Sequence, residues 1–280
     1  MIVYRTKDEL ISHLECLRGN QKSIGLVPTM GALHEGHISL VTRSTRENDC
    51  TVVSIFVNPT QFNNSSDLEK YPRTPEKDLE ILQDNGVNVV FMPPVEEMYP
   101  ETDRRLFNLK GLDLVLEGAT RKGHFNGVAQ IVSKLFLITL PQRAYFGQKD
   151  FQQLVIIRRL VEIMDLDLEI VACPIIREKD GLAMSSRNAR LGRKERKEAS
   201  YIYQSLLKAL EMKAEFSPGD LKLWVEARFT QNPLMELDYF EIVEDKTLKP
   251  IHSWEDEVNK VACIAVILGG VRLIDNMIFD

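Results

Sequence analysis

The chain is predicted to be an α/β protein, with a Rossmann-like, doubly wound parallel sheet followed by a smaller α+β domain. Through the first half, apolar β-rich runs alternate with longer stretches of helical period, the pattern made when crossover helices join parallel strands. A polar, charged loop over residues 177–188 interrupts the alternation, and helices and β-rich runs in a different order follow it. The elements read as follows. Lys7 to Leu17 predicts a first helix behind Thr6, closed by Gly19, and Ser23 to Val27 a buried strand stopped by Pro28. Glu35 to Asn48 predicts helix, Thr51 to Val57 strand, Glu76 to Asn85 a helix closed by Gly86, and Val87 to Met92 strand. After the loop Arg121 to Gly127, Val128, Ile131, Val132, Leu135 and Phe136 recur at helical spacing. Arg143 to Phe146 is a short strand, a helix starts behind Asp150, and Leu168 to Cys173 is one more strand before Pro174. The domain boundary is set after Ile176, so that residues 1–176 form the Rossmann-like unit and residues 177–280 the smaller one. In the latter, helices span Lys194 through Lys213 and Asp220 to Thr230, with β-rich runs at Tyr239 to Val243 and Lys260 to Leu268.

Composition narrows the function classes. The 280 residues are roughly two average domains' worth, 44% hydrophobic and 27% charged, as in a globular protein. Lys plus Arg is 35 against 41 Asp plus Glu, a net charge of −6, without the basic excess of a general nucleic-acid binder. The most apolar stretch, Val261 to Val271, is broken by two glycines and falls far short of the roughly 20 residues that span a bilayer. The start MIVYRTKDEL lacks a basic segment followed by an apolar block, so a cytoplasmic location is expected. Cys16, Cys50, Cys173 and Cys263 form no C-x-x-C pair and read as small core residues rather than zinc ligands or a disulfide framework. The charge-dense GRKERKE is a solvated helix start.

The most informative stretch is VPTMGALHEGHISL, where a strand runs into a glycine-punctuated turn and His34 and His37 flank Gly36 at a helix start. First-turn amides lack helical partners and the dipole adds positive charge, so backbone N–H groups there are expected to face an anion such as phosphate. Two imidazoles three residues apart reach one phosphate group, and a positive helix end keeps them neutral donors. On the residues alone a plainer reading stands beside this one, in which one His caps the turn and the other packs in the core. A metal reading is weaker, because H-x-x-H offers two ligands and no third at an established spacing.

Further along, FVNPTQF ends a strand at Asn58 and places Gln61 outside the carboxyl edge of the sheet, where open α/β sheets bind ligands. An amide donates and accepts at once, which suits a substrate bearing hydroxyls and a carboxylate. GQKDFQQ puts Gly147 and Lys149 before a helix whose N-cap is Asp150, with the ammonium aimed at the same crevice. Asp150 and Gln153 also match a capping box, the alternative use for Gln153. Ser185, Ser186 and Arg187 of MSSR can grip polyphosphate oxygens, or simply make a polar hinge loop. Asp78, near a helix N-terminus, is left outside the site, and His124 is compatible with either a ligand contact or a structural turn.

TMGALHEGH resembles the phosphate-binding HIGH-type motif of the pantothenate synthetase family, within the wider nucleotidyltransferase and class I synthetase superfamily. FVNPTQF, YPRT at Tyr71 to Thr74, GHFNGV at Gly123 to Val128, YFGQKDFQQ at Tyr145 to Gln153 and REKDGLAMSSRNARL at Arg177 to Leu191 look like that family's blocks in its order. The segment QFNNSSDLEKYPR departs from it, lacking the Gly after QF and the acidic pair before the Tyr-Pro-Arg-Thr block. The resemblance implies an ATP-dependent ligase that joins pantoate to β-alanine through a pantoyl adenylate, releasing AMP and pyrophosphate, with Mg²⁺ as companion ion and a homodimer as the assembly. It implies that Met30, Gly31, Ala32, Leu33, His34, Glu35, Gly36 and His37 contact ATP, as do Gly147, Gln148, Lys149, Asp150, Ile176, Met184, Ser185, Ser186 and Arg187. The transition-state roles fall to His34, His37, Lys149 and Arg187, and pantoate falls to Gln61, Gln153 and Asn58. Two other classes of function remain: a nucleotidyltransferase acting on a phosphate acceptor, against which the glutamine pair argues, and a non-catalytic nucleotide-sensing module, which should have lost Lys149 or the histidines. A tRNA-binding synthetase fragment would call for a basic appendage that is missing.

Overall fold

The computed structural model describes residues 1–63 and 65–279. Strands β1 (Ile2–Tyr4), β2 (Ile24–Thr29), β3 (Cys50–Ile55), β4 (Val89–Phe91), β5 (Arg143–Gly147) and β6 (Glu169–Cys173) pair in parallel in the order β1-β4-β3-β2-β5-β6. The connecting segments contain α1 (Lys7–Gly19), α2 (Glu35–Glu47), α3 (Ser65–Glu69), α4 (Pro75–Asp84), α5 (Val95–Met98), α6 (Glu117–Thr120), α7 (His124–Thr139) and α8 (Phe151–Met164). The chain steps outward from β2 to β3 and β4, then returns to lay β5 on the other side of β2. The strand order therefore reverses between β2 and β5, and a crevice opens at their carboxyl ends.

Alternation of side chains along the strands builds a core on each face. Leu26, Val52, Val89 and Ala144 pack with Leu10 and Leu14 of α1 and Val132 and Leu135 of α7, while Val27, Val53, Val90 and Tyr145 meet Leu40 and Val41 of α2 and Leu82 of α4. The expected α/β sheet is thus the fold observed.

Three local expectations are corrected, and one strand is added. The β2 strand runs through Pro28 instead of stopping before it. Ser23 and Thr29 turn their carbonyls to β3 and Ile24 turns its carbonyl to β5, so by alternation the missing donor of Pro28 faces β5, where pairing has already ended at Leu26. The short edge strand β1, exposed or half-buried, carried no readable pattern. The α7 helix begins at His124, so Gly127 is helical. A Cβ on Gly127 would sit 2.4 Å from the Thr60 carbonyl oxygen and 2.8 Å from Gln61 Cα, so only glycine lets the helix press against the 3₁₀ turn Pro59–Gln61. β3, moreover, ends at Ile55 and not at Asn58, which precedes that turn.

Beyond β6 lie α9 (Arg193–Glu198), α10 (Tyr201–Glu211) and α11 (Pro218–Thr230), and an antiparallel sheet of β7 (Met235–Glu244), β8 (Lys260–Leu268) and β9 (Val271–Ile278). The single helix expected through Lys213 is broken where the Ile202 amide bonds three residues back to Ala199. β9 was not anticipated. Its signal is Gly269-Gly270, both at positive φ (+57° and +75°), as a two-residue hairpin turn requires. One face of this sheet packs on α10 and α11 through Phe240, Ile242, Ala262 and Ile264. The other meets α8 through Val243, Val261 and Cys263 against Phe151, Val155 and Ile156. Beside that apolar contact the Arg272 guanidinium bonds the carboxylates of Glu117 and Asp238, and the Tyr239 hydroxyl donates to Glu117 at 2.9 Å.

Gly127→Ala forces α7 off the turn that carries Gln61, and it is expected to lose about 1–3 kcal/mol of unfolding free energy in urea titration. An unchanged midpoint would mean that the helix and turn can separate freely.

Candidate active site

At the carboxyl end of β2 the chain turns through Gly31 (φ +79°) and Ala32 (φ +49°), a left-handed pair that Ala adopts only when something holds it. The holder is Asp78, from α4. It is 1% exposed, and its two oxygens accept from the Ala32 N–H at 2.9 Å and the Leu33 N–H at 2.8 Å, with Thr74 Oγ1 donating at 3.1 Å. Thr29 Oγ1 accepts from the Gly31 N–H at 3.2 Å. The signal for Asp78 was slight, since an acid in a helical first turn is ordinarily explained by the dipole.

The two histidines cap the α2 start reciprocally. His34 Nδ1 accepts from the Gly36 N–H at 3.1 Å, and His37 Nδ1 accepts from the His34 N–H at 3.3 Å. Each ring must therefore be unprotonated at Nδ1 and carry its proton at Nε2. Both line one cavity, with ring centroids 4.1 Å apart. Desolvation, joined by Lys149, lowers the His34 pKa to about 4; desolvation, joined by His34, lowers that of His37 to about 3. Both are neutral donors at physiological pH. The expected cradle of free backbone amides is not formed. Asp78, Thr29 and the histidine rings take those of Gly31, Ala32, Leu33, His34 and Gly36, and the His34 carbonyl takes that of His37, leaving Glu35 the one unpartnered amide of the turn among the described residues.

Across the strand-order reversal, β5 leads into Gly147, Gln148, Lys149 and Asp150. The Lys149 ammonium lies 3.4 Å from Asp150 Oδ1. Asp150 occupies the N-cap position of α8 but its side chain caps nothing, because the adjacent ammonium is the stronger partner. The expected capping box is absent. Burial works to raise the Asp150 pKa, but Lys149 and Arg187 outweigh it and hold the carboxyl below its usual value. Gln153 is left to line the cavity, and its side chain makes no hydrogen bond among the described residues. Its neighbour Gln152 is buried and ties down the Leu112 and Val115 carbonyls and the Glu117 N–H.

On the β3 side, Gln61 is buried with its amide on the cavity wall, donating to Met30 Sδ at 3.1 Å. Asn58 lies behind it. Its NH₂ donates to Gln61 Oε1 and the Gly127 carbonyl, and its oxygen accepts from Thr60 and Tyr99. Asn58 therefore borders the cavity with its amide fully used within the protein, and acts on any ligand through Gln61. His124 Nδ1 donates to the Gln61 carbonyl at 2.7 Å and does not line this cavity, so it belongs to the turn. Desolvation lowers its pKa to about 3.

The fourth wall is a hairpin. Arg177 pairs with Ala183, the Ile176 carbonyl accepts from the Met184 N–H at 2.9 Å, and Met184, Ser185, Ser186 and Arg187 follow. Ser186 Oγ donates to the Ala32 carbonyl at 3.1 Å, joining this loop to the histidine turn. Arg187 lines the cavity but bonds Asp67 of α3 at 3.0 Å, a carboxylate it shares with Arg190 at 2.8 Å. Sequence reasoning singled out neither partner.

Of the residues expected at the site, five stand off the cavity wall: Gly31, Ala32, Leu33, Glu35 and Gln148. The rest converge on it from five separate stretches of chain. Lys149 and Arg187 are its only cationic side chains among the described residues, against one acid, Asp150.

This geometry can be set against known proteins. The family model described as "Pantoate-beta-alanine ligase" matches residues 2–278. The chain is 55% identical over 277 residues to the pantothenate synthetase of Bacteroides thetaiotaomicron, covering 99% of this chain and 98% of the relative, and 50% identical over 280 residues to that of Porphyromonas gingivalis, covering 100% of both. Among solved structures, the pantothenate synthetase of Thermus thermophilus superposes with a TM-score of 0.90 at 42% identity, covering 99% of both chains. The pantoate-beta-alanine ligase of Francisella tularensis, complexed with beta-gamma ATP and beta-alanine, does so with a TM-score of 0.81 at 34% identity, covering 100% of this chain and 98% of that one. With a family model spanning nearly its whole length and relatives at half identity or better, the chain belongs to the pantoate–β-alanine ligase family.

Proposed function

We propose that this protein condenses pantoate with β-alanine at the expense of ATP, forming pantothenate with release of AMP and pyrophosphate. The observation that carries the reading is that one cavity gathers neutral imidazole donors, two cations, a pair of serine hydroxyls and two glutamine amides. The first three sets suit a triphosphate, and the amides suit a hydroxy acid. A phosphate acceptor, as in a nucleotidyltransferase, would call for cations beyond Lys149 and Arg187.

In the first step the pantoate carboxylate attacks the α-phosphorus, the bond to the bridging oxygen breaks, and pyrophosphate leaves with the electron pair. The Nε2–H groups of His34 and His37, with Lys149, donate to the oxygens on which charge accumulates. Ser185, Ser186 and Arg187 hold the departing phosphates, which requires Arg187 to trade or share its bond to Asp67. The backbone at Ile176 lies against adenine. In the second step the neutral amine of β-alanine attacks the acyl carbon and AMP leaves, the amine proton passing to solvent or phosphate. Gln61, backed by Asn58, and Gln153 keep the acyl group in place, and the Met184–Arg187 loop shields the water-labile anhydride.

Magnesium enters this reading as the companion of the triphosphate. Both Asp78 oxygens already serve backbone amides, and Asp150 is the one carboxylate on the described wall, a donor set that fits an ion held mainly by phosphate oxygens and water. The ion would neutralise phosphate charge. The reading further includes a homodimer, a cytoplasmic location and a division into two domains after Ile176.

Four outcomes are expected. His37→Ala lowers the rate of pyrophosphate release about 10²-fold, whereas His37→Gln, which keeps a neutral N–H, recovers most of it. Because the imidazoles of the free enzyme are already neutral at pH 5, kcat/KM shows no histidine ionisation between pH 5 and 8, and a fall as pH rises through about 6.5 would mean that a charged ring is needed. Gln61→Ala raises KM for pantoate at least tenfold and leaves KM for ATP within about twofold; equal losses would remove Gln61 from the acid. Protein, ATP and pantoate without amine accumulate bound adenylate, read by mass spectrometry after quenching, and pyrophosphate release that awaits the amine would contradict the two-step order.

A further inference from the structure

The β9 strand of the antiparallel sheet reaches into the site from behind. Asn276, 2% exposed, donates from Nδ2 to two consecutive carbonyls, those of Gln148 and Lys149, each at 2.9 Å. The orientation of the amide is fixed by its neighbours, since only an NH₂ group can face two carbonyl oxygens. In an extended strand, successive carbonyls point to opposite sides. Here they point to one side, and this one amide holds them there. The residue whose carbonyl Asn276 holds is the one whose side chain reaches the cavity wall, Lys149. Asn276 Oδ1 is buried with no partner among the described residues. An apolar side chain would remove that orphan acceptor, but only by giving up both donors.

The preceding residue anchors the same strand end to the opposite wall of the site. Asp275, 4% exposed, accepts from Arg177 Nη1 at 2.6 Å and Nη2 at 3.0 Å, and also from the Asn276 N–H at 2.8 Å. Arg177 in turn bonds the Gly181 carbonyl at 3.0 Å and stacks on Tyr203, so it belongs to the hairpin that ends in Met184–Arg187. Two adjacent β9 residues thus hold the Lys149 turn with one side chain and the serine loop with the other. They bridge the two cationic parts of the cavity without lining it.

We propose that Asn276 is a positioning residue for the adenylation step, shaping the Gln148–Lys149 turn so that the Lys149 ammonium meets the triphosphate. The proposal rests on the reading of Lys149 given above. Its effect should appear in turnover far more than in the capture of pantoate, because Gln61 and Asn58 are held by the β3 side of the site, which Asn276 does not touch, and Gln153 is carried by α8, which packs on β7 and β8 through Phe151, Val155 and Ile156.

The test is a double-mutant cycle on pantoate-dependent exchange of labelled pyrophosphate into ATP. Asn276→Ala is expected to lower the exchange kcat at least tenfold with KM for pantoate within about twofold of wild type. In a Lys149→Ala background the same change should cost less than about threefold, because the group it aims is gone. Equal costs in the two backgrounds would overturn the proposal, as would a loss confined to thermal stability with kcat unchanged. Should Asn276→Ala fail to fold, Asn276→Ser keeps one donor, and the same cycle applies to it with the same expected non-additivity. A Lys149→Ala exchange rate within threefold of wild type would overturn the parent reading of Lys149, a result separable from additivity in a background where Lys149 matters.

Discussion

A single buried carboxylate holds the centre of this site together. Asp78 binds the backbone N–H groups of Ala32 and Leu33 and so maintains a left-handed alanine at the mouth of the strand-order reversal. Left to itself that turn would relax toward extended or helical backbone, and α2 would begin elsewhere. The position of both histidines follows from where α2 begins. The Ser186 contact to the Ala32 carbonyl then attaches the serine loop to the same turn. A side chain that does not itself line the cavity thereby sets the frame for several that do.

The chemistry of the imidazoles follows from the same local structure. Each accepts a backbone N–H at Nδ1, so its proton resides at Nε2, and burial beside Lys149 removes the charged form as an option. An imidazolium would bind a triphosphate more tightly in the ground state. A neutral donor gains mainly as negative charge grows on the oxygen it faces, which favours the transition state over the bound substrate. Lys149, flanked by Asp150, complements the pair with a full positive charge.

Much of this was legible in the chain itself. The parallel sheet, the His34–His37 turn, Lys149 at the end of β5 and the Met184–Arg187 loop could be read because each rests on local pattern: alternation, glycine punctuation, or a rare cluster of polar side chains. What escaped depends on distant partners. Asp78 looks like any acid in a first helical turn, and its meaning lies 45 residues away in Leu33. Asp67 acquires a role only when Arg187 and Arg190 fold over it. The reading of Asn58 as a direct contact needed to know that four neighbours exhaust its amide, and the expected backbone cradle needed to know that those amides were already engaged. The β9 strand was hidden in a different way, because its apolar positions are interspersed with Arg272, Asp275 and Asn276, whose partners Glu117, Arg177 and Gln148 lie in distant parts of the chain.

The ion pair between Arg187 and Asp67 has a consequence for molecular recognition. A cation that is already satisfied by an internal carboxylate is a poor trap for whatever small anion drifts past, since the newcomer must displace a tethered competitor present at high effective concentration. Chloride or a lone orthophosphate brings too few contacts to win that exchange. On the proposed function, a guest that simultaneously engages the imidazoles, Lys149 and the serine hydroxyls would bring enough, so self-pairing would convert a generic attraction for negative charge into a preference for long, multiply anchored polyanions.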